Sequence, residues 1–374
     1  MSLEVIYVTR HGFRPAFNVD PATGTYSLAI RSPTGLPTDP PLTAHGVDQA
    51  NDLARHLLQV DPPIDQVYSS PYYRCLQTIS PFVAKLKEGG GAAAAGDGRR
   101  PQPSAPPSSS PGLGLESGPG SGEKTGGGGG EGGGRGTIRV EAGISEWYGL
   151  APWEHPTSAP LAELAALFPQ SPLDPTYVSR VTPARRGESI AQLHERVAAA
   201  VAAIVAQSDT EGHRAVVLNT HAAVVIALGR VLTGRMPARV DEEDFGAFTC
   251  GLSVYRRRRR SGRGETAMTE AAAADSQASH VRDVALPETA QSTWADGSGV
   301  CGGWDCEANS DCSFLRGGEE RGWRFSGDED FVSSLGSGTL EDARAGLGVV
   351  VEKGDSHSQP QSGGAAGNTG KYKL

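Results

Sequence analysis

The sequence predicts an α/β fold: a single three-layer domain, a mostly parallel sheet with helices on both faces, interrupted by disordered insertions. Three observations carry this. Short apolar runs such as Val5-Ile6-Tyr7-Val8 and Ala215-Val216-Val217-Leu218 have the length and content of buried strands. Segments with helical periodicity alternate with them, the pattern of βα units. Long glycine- and proline-rich tracts separate these units and cannot bury a core. The chain has 374 residues, ordinarily enough for two domains, but 50 are glycine and 26 are proline. One domain of roughly 220–250 residues fits what remains.

The elements follow in order. Residues 4–9 read as a strand. Residues 14–42 hold many turn formers, among them Pro15, Pro21, Gly24, Pro33 and Gly35, and read as a long ordered loop. Thr43 can cap a helix whose apolar face is Val47, Ala50, Leu53, Ala54, Leu57 and Leu58. Pro62-Pro63 ends it, and Ile64 to Ser69 is a second strand. Ser70-Pro71 matches a cap followed by proline at the first helical position, so a helix carrying Arg74 in its first turn should start there. In residues 89–136, 19 of 48 are glycine, which predicts a disordered insertion.

Order returns with Thr137-Ile138-Arg139-Val140. Leu161 to Phe168 is a short helix, and Ile190, Leu193, Val197, Val201 and Ile204 mark a longer one. The strand at 215–218 delivers Thr220-His221, and Ala222 to Leu232 reads as a helix ending at Gly234. Thr249 to Tyr255 is a strand followed by five arginines, Arg256 to Arg260. The island from Gly303 to Leu315 reads as a return strand pairing with it, since lengthening a link costs only about 0.6 kcal/mol per doubling. The expected folded domain is therefore 1–88 and 137–255 plus 300–330. The stretches 89–136, 256–299 and 332–374 are expected to be disordered.

The net charge of −9 argues against direct nucleic-acid binding in general, but not against a local anion site. Five scattered cysteines, no leader and no membrane-length apolar run predict a cytoplasmic or nuclear protein with reduced thiols.

Chemistry concentrates after the strands, where open α/β sheets place their sites. His11 follows the first strand beside Arg10. A neutral imidazole nitrogen can attack phosphorus while a guanidinium holds the phosphoryl oxygens. Such a histidine needs further cations, a fixed tautomer and a proton for the leaving oxygen. Arg74 lies near a helix N-terminus that itself favours anions. His221 lies at another. Glu146 follows the strand at 137–140, with Glu141 and Glu154 as alternative carboxylates. Arg14 is near enough in sequence to reach the same site.

These segments resemble the histidine phosphatase superfamily, branch 1, with its phosphoglycerate-mutase-like fold. The resemblance lies in Arg10-His11-Gly12, in Leu42-Thr43-Ala44-His45-Gly46-Val47-Asp48-Gln49-Ala50, and in Ser69-Ser70-Pro71-Tyr72-Tyr73-Arg74-Cys75-Leu76-Gln77-Thr78. Glu141-Ala142-Gly143-Ile144-Ser145-Glu146-Trp147 and Asn219-Thr220-His221 complete it, in the family's order. It implies a phosphoric monoester hydrolase with His11 as nucleophile, forming a phosphohistidine. It implies phosphate binding by Arg10, Arg14, Arg74 and His221, and Glu146 as proton donor and then base. No metal and no cofactor are implied, and the partner is a phosphorylated substrate of unknown class. Phe13 stands where many members have glutamate, which disfavours a sugar-phosphate mutase.

A narrower resemblance rests on Arg10-His11-Gly12-Phe13-Arg14, Thr38-Asp39-Pro40, Asp61-Pro62-Pro63-Ile64 and the tail Gly317-Gly318-Glu319-Glu320-Arg321-Gly322-Trp323. These are similar to a fungal group related to the phosphatase-like 55-kilodalton subunit of RNA polymerase III transcription factor tau. That implies an alternative role: a scaffold subunit among transcription-complex partners with little or no catalysis. His45, His56, His155, His194 and His213 have no chemical partner at a telling spacing and are assigned to structure or surface. Cys301, Cys306 and Cys312 do not match paired metal-ligand spacing. The run Arg256 to Arg260 reads as a solvated charge run, with nuclear import or nucleic-acid contact as alternatives.

Overall fold

A computed structural model describes residues 2–94, 136–239, 241–259, 293–326 and 349–351. The elements in chain order are β1 (Val5–Arg10), β2 (Phe17–Asp20), β3 (Thr25–Ser27), α1 (Ala44–Leu57), β4 (Gln66–Ser69), α2 (Tyr73–Ala94) and β5 (Ile138–Val140). They continue as α3 (Leu161–Leu167), α4 (Ile190–Glu211), β6 (Ala215–Thr220), α5 (Ala222–Thr233), β7 (Leu252–Arg257), β8 (Trp304–Asp311) and β9 (Val349–Val351).

The main sheet has the order β5-β4-β6-β1-β7-β8. β5, β4, β6 and β1 run parallel, while β7 is antiparallel to both β1 and β8. Strand alternation divides the core into two layers. Val5, Tyr7, Val67, Ala215 and Val217 pack with Leu53, Leu57, Leu76 and Ile79 of α1 and α2. Ile6, Val8, Tyr68, Val216 and Leu218 pack with Val197, Val201, Ile204, Val224 and Leu228 of α4 and α5. This is a three-layer α/β architecture. Each such aliphatic side chain, once buried, contributes roughly 1.5–3 kcal/mol.

Local signals set the helix ends. Thr43 Oγ1 accepts from Gly46 N at 3.1 Å and starts α1. Ser189 and Gln192 form a reciprocal capping box on α4. Gly212 (φ 76°) and Gly234 (φ 74°) take the left-handed conformation that ends α4 and α5.

Several expectations are corrected. α2 begins at Tyr73 rather than Pro71, because its cap comes from elsewhere in the chain: Asp39 Oδ2 accepts from Tyr73 N at 2.8 Å. Val47 and Leu58 lie on the exposed side of α1, at the margins of its apolar arc. Residues 14–42 contain the β2–β3 hairpin. β9, from the tail expected to be disordered, adds to it in parallel through Phe17↔Val349, Asn18↔Val350 and Val19↔Val351.

The stretch expected to be disordered from 256 is partly sheet. Arg256 and Arg257 extend β7 and pair with Asp305 and Trp304 of β8. Their side chains are neutralised: Arg256 by Glu307 at 2.6 Å, Arg257 by Asp209 at 2.8 Å, and the next arginine, Arg258, by Asp305 at 2.8 Å. Trp294 is buried against α4, its ring stacked on His194. Residues 89–94 belong to α2. Of the three expected disordered stretches, residues 95–135, 260–292, 332–348 and 352–374 lie outside the described residues, as do 327–330 of the expected folded part.

Candidate functional site

Because β1, β4 and β6 are parallel, their C-terminal ends open on one edge. The ladder continues one residue past each strand: His11 N donates to Thr220 O at 2.9 Å and Ser70 N to Asn219 O at 2.9 Å. β1 therefore delivers Arg10 and His11, β4 leads to Arg74 in the first turn of α2, and β6 leads to His221 at the N-terminus of α5. Arg10, His11, Arg14, Arg74, Glu146 and His221 are all buried.

The loop after His11 lies tight against α1. Gly12 N donates to Thr78 Oγ1 at 3.0 Å. A Cβ on Gly46 would stand 2.1 Å from Phe13 O, so this approach requires glycine there.

His11 Nδ1 lies 2.8 Å from its neighbour's carbonyl, Gly12 O. A carbonyl only accepts, so Nδ1 carries the hydrogen and the lone pair resides on Nε2. Burial, with the charges of Arg74 and Arg10, holds His11 well below the usual histidine range. Its ring meets that of His221 edge-on at 5.4 Å.

Glu146 Oε2 is 3.0 Å from Arg74 Nη2 and 3.1 Å from His221 Nδ1. On the other side of the His221 ring, Nε2 is 2.7 Å from Ser70 Oγ. One tautomer satisfies both contacts: Nδ1–H donates to Glu146 and Nε2 accepts from Ser70. Arg74 Nη2, 3.2 Å from the same Nδ1, is then a packing contact rather than a hydrogen bond. Burial opposes the charge on Glu146, but His221, Arg74 and Arg14 outweigh it and hold the carboxyl well below the usual carboxylate range. Burial and Arg74 push His221 down to about 4 against the pull of Glu146. The same burial pushes Arg14 down to about 9 and, with Arg321 and Arg74, Arg10 to about 10.

Of the alternative carboxylates, Glu154 is exposed and paired with Arg185 at 2.7 Å. Glu141 is committed to Gly143 N at 2.6 Å and to the Tyr177 hydroxyl. Glu146 is the one that reaches Arg74 and His221.

Supporting residues come from places the sequence does not flag by spacing. Buried Asp39 pairs with Arg74 Nη1 at 3.2 Å, and Thr38 O accepts from the same nitrogen at 2.9 Å. Arg196 of α4 clamps the Glu146 loop by donating to Gly143 O at 2.9 Å and Ser145 O at 3.1 Å. Tyr72 lays its ring 4.5 Å from the Arg74 guanidinium carbon. Arg10 Nη1 donates to Ala247 O at 2.7 Å and to Arg321 O in the tail motif. The Thr38-Asp39-Pro40 and 317–323 motifs were the only sequence signals for Asp39 and Arg321.

His11, Glu146 and His221 each offer a ligand atom within 4.8 Å of the others, a spacing that could hold a metal ion. Arg10, Arg14 and Arg74 ring the group, so the local field favours an anion over a dication. Elsewhere, the five cysteines are free thiols. Among the described residues no helix is long and apolar enough to cross a membrane.

The parallel-sheet edge thus gathers two histidines, three buried arginines and a carboxylate into one site suited to an anion. The model of the histidine phosphatase superfamily (branch 1) matches residues 6–89 and 131–267, and the chain belongs to that family. It is 26% identical over 345 residues to the transcription factor tau 55 kDa subunit of Saccharomyces cerevisiae, covering 90% of this chain and 61% of that protein. It is 48% identical over 56 residues to the ecdysteroid-phosphate phosphatase of Drosophila melanogaster, covering 15% of this chain and 8% of that protein. The chain thus spans less than two thirds of the length of either relative. Among solved structures it is similar to the ecdysone phosphate phosphatase from Bombix mori in complex with tungstate. That match has a TM-score of 0.45 at 21% identity and covers 68% of this chain and 89% of the other.

Proposed function

We propose that the protein hydrolyses phosphomonoesters through a phosphohistidine on His11, without needing a metal. The observation that carries this reading is the His11 ring: its Nδ1 hydrogen bond to Gly12 O leaves the lone pair on Nε2, and its surroundings keep it neutral. Arg10, Arg14 and Arg74 supply the positive charge for the non-bridging oxygens, and neutral His221 adds a donor when its Nδ1–H turns from Glu146 to the entering phosphate.

In the first step Nε2 forms a bond to phosphorus as the ester oxygen leaves, and Glu146 gives that oxygen a proton. Glu146 is ionised in the resting site. An entering phosphate dianion engages the arginines that hold it so and repels the carboxylate, raising its proton affinity, and Glu146 takes up a proton from solvent before it gives one to the leaving oxygen. In the second step water attacks phosphorus, Glu146 takes the water's proton, the N–P bond breaks, and inorganic phosphate leaves.

The test is phosphate release from an aryl phosphate with acid-labile phosphate trapped on the protein. Turnover at mildly acidic pH without added metal, abolished in His11→Ala, is expected. Absence of any His11-dependent turnover refutes it.

A second reading rests on the yeast relative, which matches nearly the whole chain. On that reading the same fold serves as a scaffold subunit of a transcription assembly. It predicts stable co-purification with large nuclear partners and no assembly defect in His11→Ala. The complete set of Arg10, His11, Arg74, Glu146 and His221 in one buried site favours catalysis, because a scaffold has no use for it.

A further inference from the structure

The tail motif Gly317–Trp323 lies outside the residues matched by the family model, yet it borders the site. Glu320 fastens it: its Oε2 lies 2.7 Å from His45 Nε2 and accepts from Gln49 Nε2 at 3.2 Å, while its carbonyl accepts from Thr249 N at 3.1 Å. The next residue, Arg321, is held with φ +52°, a left-handed conformation that non-glycine residues rarely adopt. Its carbonyl accepts from Arg10 Nη1. Its guanidinium carbon lies 4.4 Å from the centre of the Phe13 ring, two residues from His11.

The tail therefore places a fourth guanidinium beside Arg10, at the rim rather than in the buried floor. Arg10 and Arg74 are buried, whereas Arg321 is exposed. Among the described residues no carboxylate pairs with Arg321. Its charge lies close enough to Arg10 to push that group down, more strongly than Arg74 does. Two like charges held together by a strap repel, and an anion bridging them relieves the repulsion. The Phe13 face supports the flat guanidinium and leaves its N–H edge for planar, bidentate pairing with anionic oxygens.

We infer that Arg321, seated on Phe13, binds a second anionic group of the substrate beside the phosphomonoester held by the His11 site. This inference rests on the phosphomonoester reading. The phosphoryl group already has the buried arginines, so the rim cation is left for a neighbouring carboxylate or phosphate.

The test measures equilibrium binding to the non-turnover His11→Ala protein, with and without Arg321→Ala or Arg321→Lys. The probes are phenyl phosphate and its 2-, 3- and 4-carboxyphenyl analogues. At least one carboxylated ester should bind about tenfold tighter than phenyl phosphate, the scale of one charge-assisted pair at a partly exposed site. Arg321→Ala should erase that preference, and Arg321→Lys, which keeps the charge but loses the fork, should keep part of it. A preference unchanged by Arg321→Ala, or no preference for any isomer, overturns the inference. If wild type hydrolyses phenyl phosphate while the Arg321 effect is missing, only this inference fails. If wild type hydrolyses nothing yet the preference depends on Arg321, catalysis fails and the second anion site stands. If no ester binds, both fail.

Discussion

Replacing Glu146 by glutamine should move turnover and anion affinity in opposite directions. The carboxylate sits 3.0 Å from Arg74 Nη2 and 3.1 Å from His221 Nδ1, so it occupies cationic surface that a phosphate dianion also needs. Two unit charges about 4 Å apart at an effective dielectric near 20 repel by about 4 kcal/mol. Part of that is returned when Arg74 reorganises around the neutral amide. A gain of at least about tenfold in tungstate or phosphate affinity, roughly 1.4 kcal/mol, is the expected remainder.

Turnover should fall instead. Loss of a positioned acid and base typically costs about a hundred- to ten-thousand-fold. The loss should be full for an alkyl phosphate, whose leaving oxygen needs a proton. For p-nitrophenyl phosphate the first step needs none, so the second becomes limiting. A burst of nitrophenol and accumulated acid-labile phosphoprotein should then appear in rapid-quench experiments. Calorimetric titration with tungstate supplies the affinity arm. If Glu146→Gln hydrolyses an alkyl phosphate within tenfold of wild type, or binds tungstate more weakly, the assignment of Glu146 as proton donor is wrong.

Other outcomes follow from the same geometry. Asp39→Ala removes both the buried partner of Arg74 and the cap on Tyr73 N, and should cost about 3–5 kcal/mol in urea unfolding; a loss under about 1 kcal/mol would show that Arg74 is held without it. Gly46→Ala, which in an ordinary helix gains about 1 kcal/mol, should instead destabilise by about 2 kcal/mol, because the new methyl meets Phe13 O; thermal melts settle the sign. His194 is pushed down to about 4 by burial, so between pH 6.5 and 4 the unfolded chain binds a proton that the folded one does not. Its contribution is intact above pH 6.5 and falls by up to about 3 kcal/mol as pH drops towards 4. Urea midpoints at pH 7 and 4.5 should therefore diverge less in His194→Phe than in wild type.

The amino-acid sequence determined the strands that carry the site. Val5 to Val8 and Ala215 to Leu218 are apolar without break because both faces of their strands are covered, and such runs are legible locally. It likewise determined the helix ends at Thr43 and Gly234, where one capping side chain or one left-handed residue is decisive. His11, Arg74, Glu146 and His221 were legible as residues following strands. That Glu146 and not Glu141 reaches the site was decided by the fold: Tyr177 and Gly143 N claim Glu141, and only three-dimensional packing brings them there.

Asp39 as the cap of a helix 34 residues away, Arg196 as the clamp on the Glu146 loop and Arg321 beside Arg10 are also products of tertiary structure. The same is true of the arginine run: Arg256 and Arg257 joined β7, and with Arg258 they found carboxylates in β8 and α4. The physical reason is the range of the forces involved. Periodicity and capping act within a few residues, so sequence order records them. Desolvated charge pairs act across whatever surfaces the sheet brings together, and sequence order alone holds no record of that.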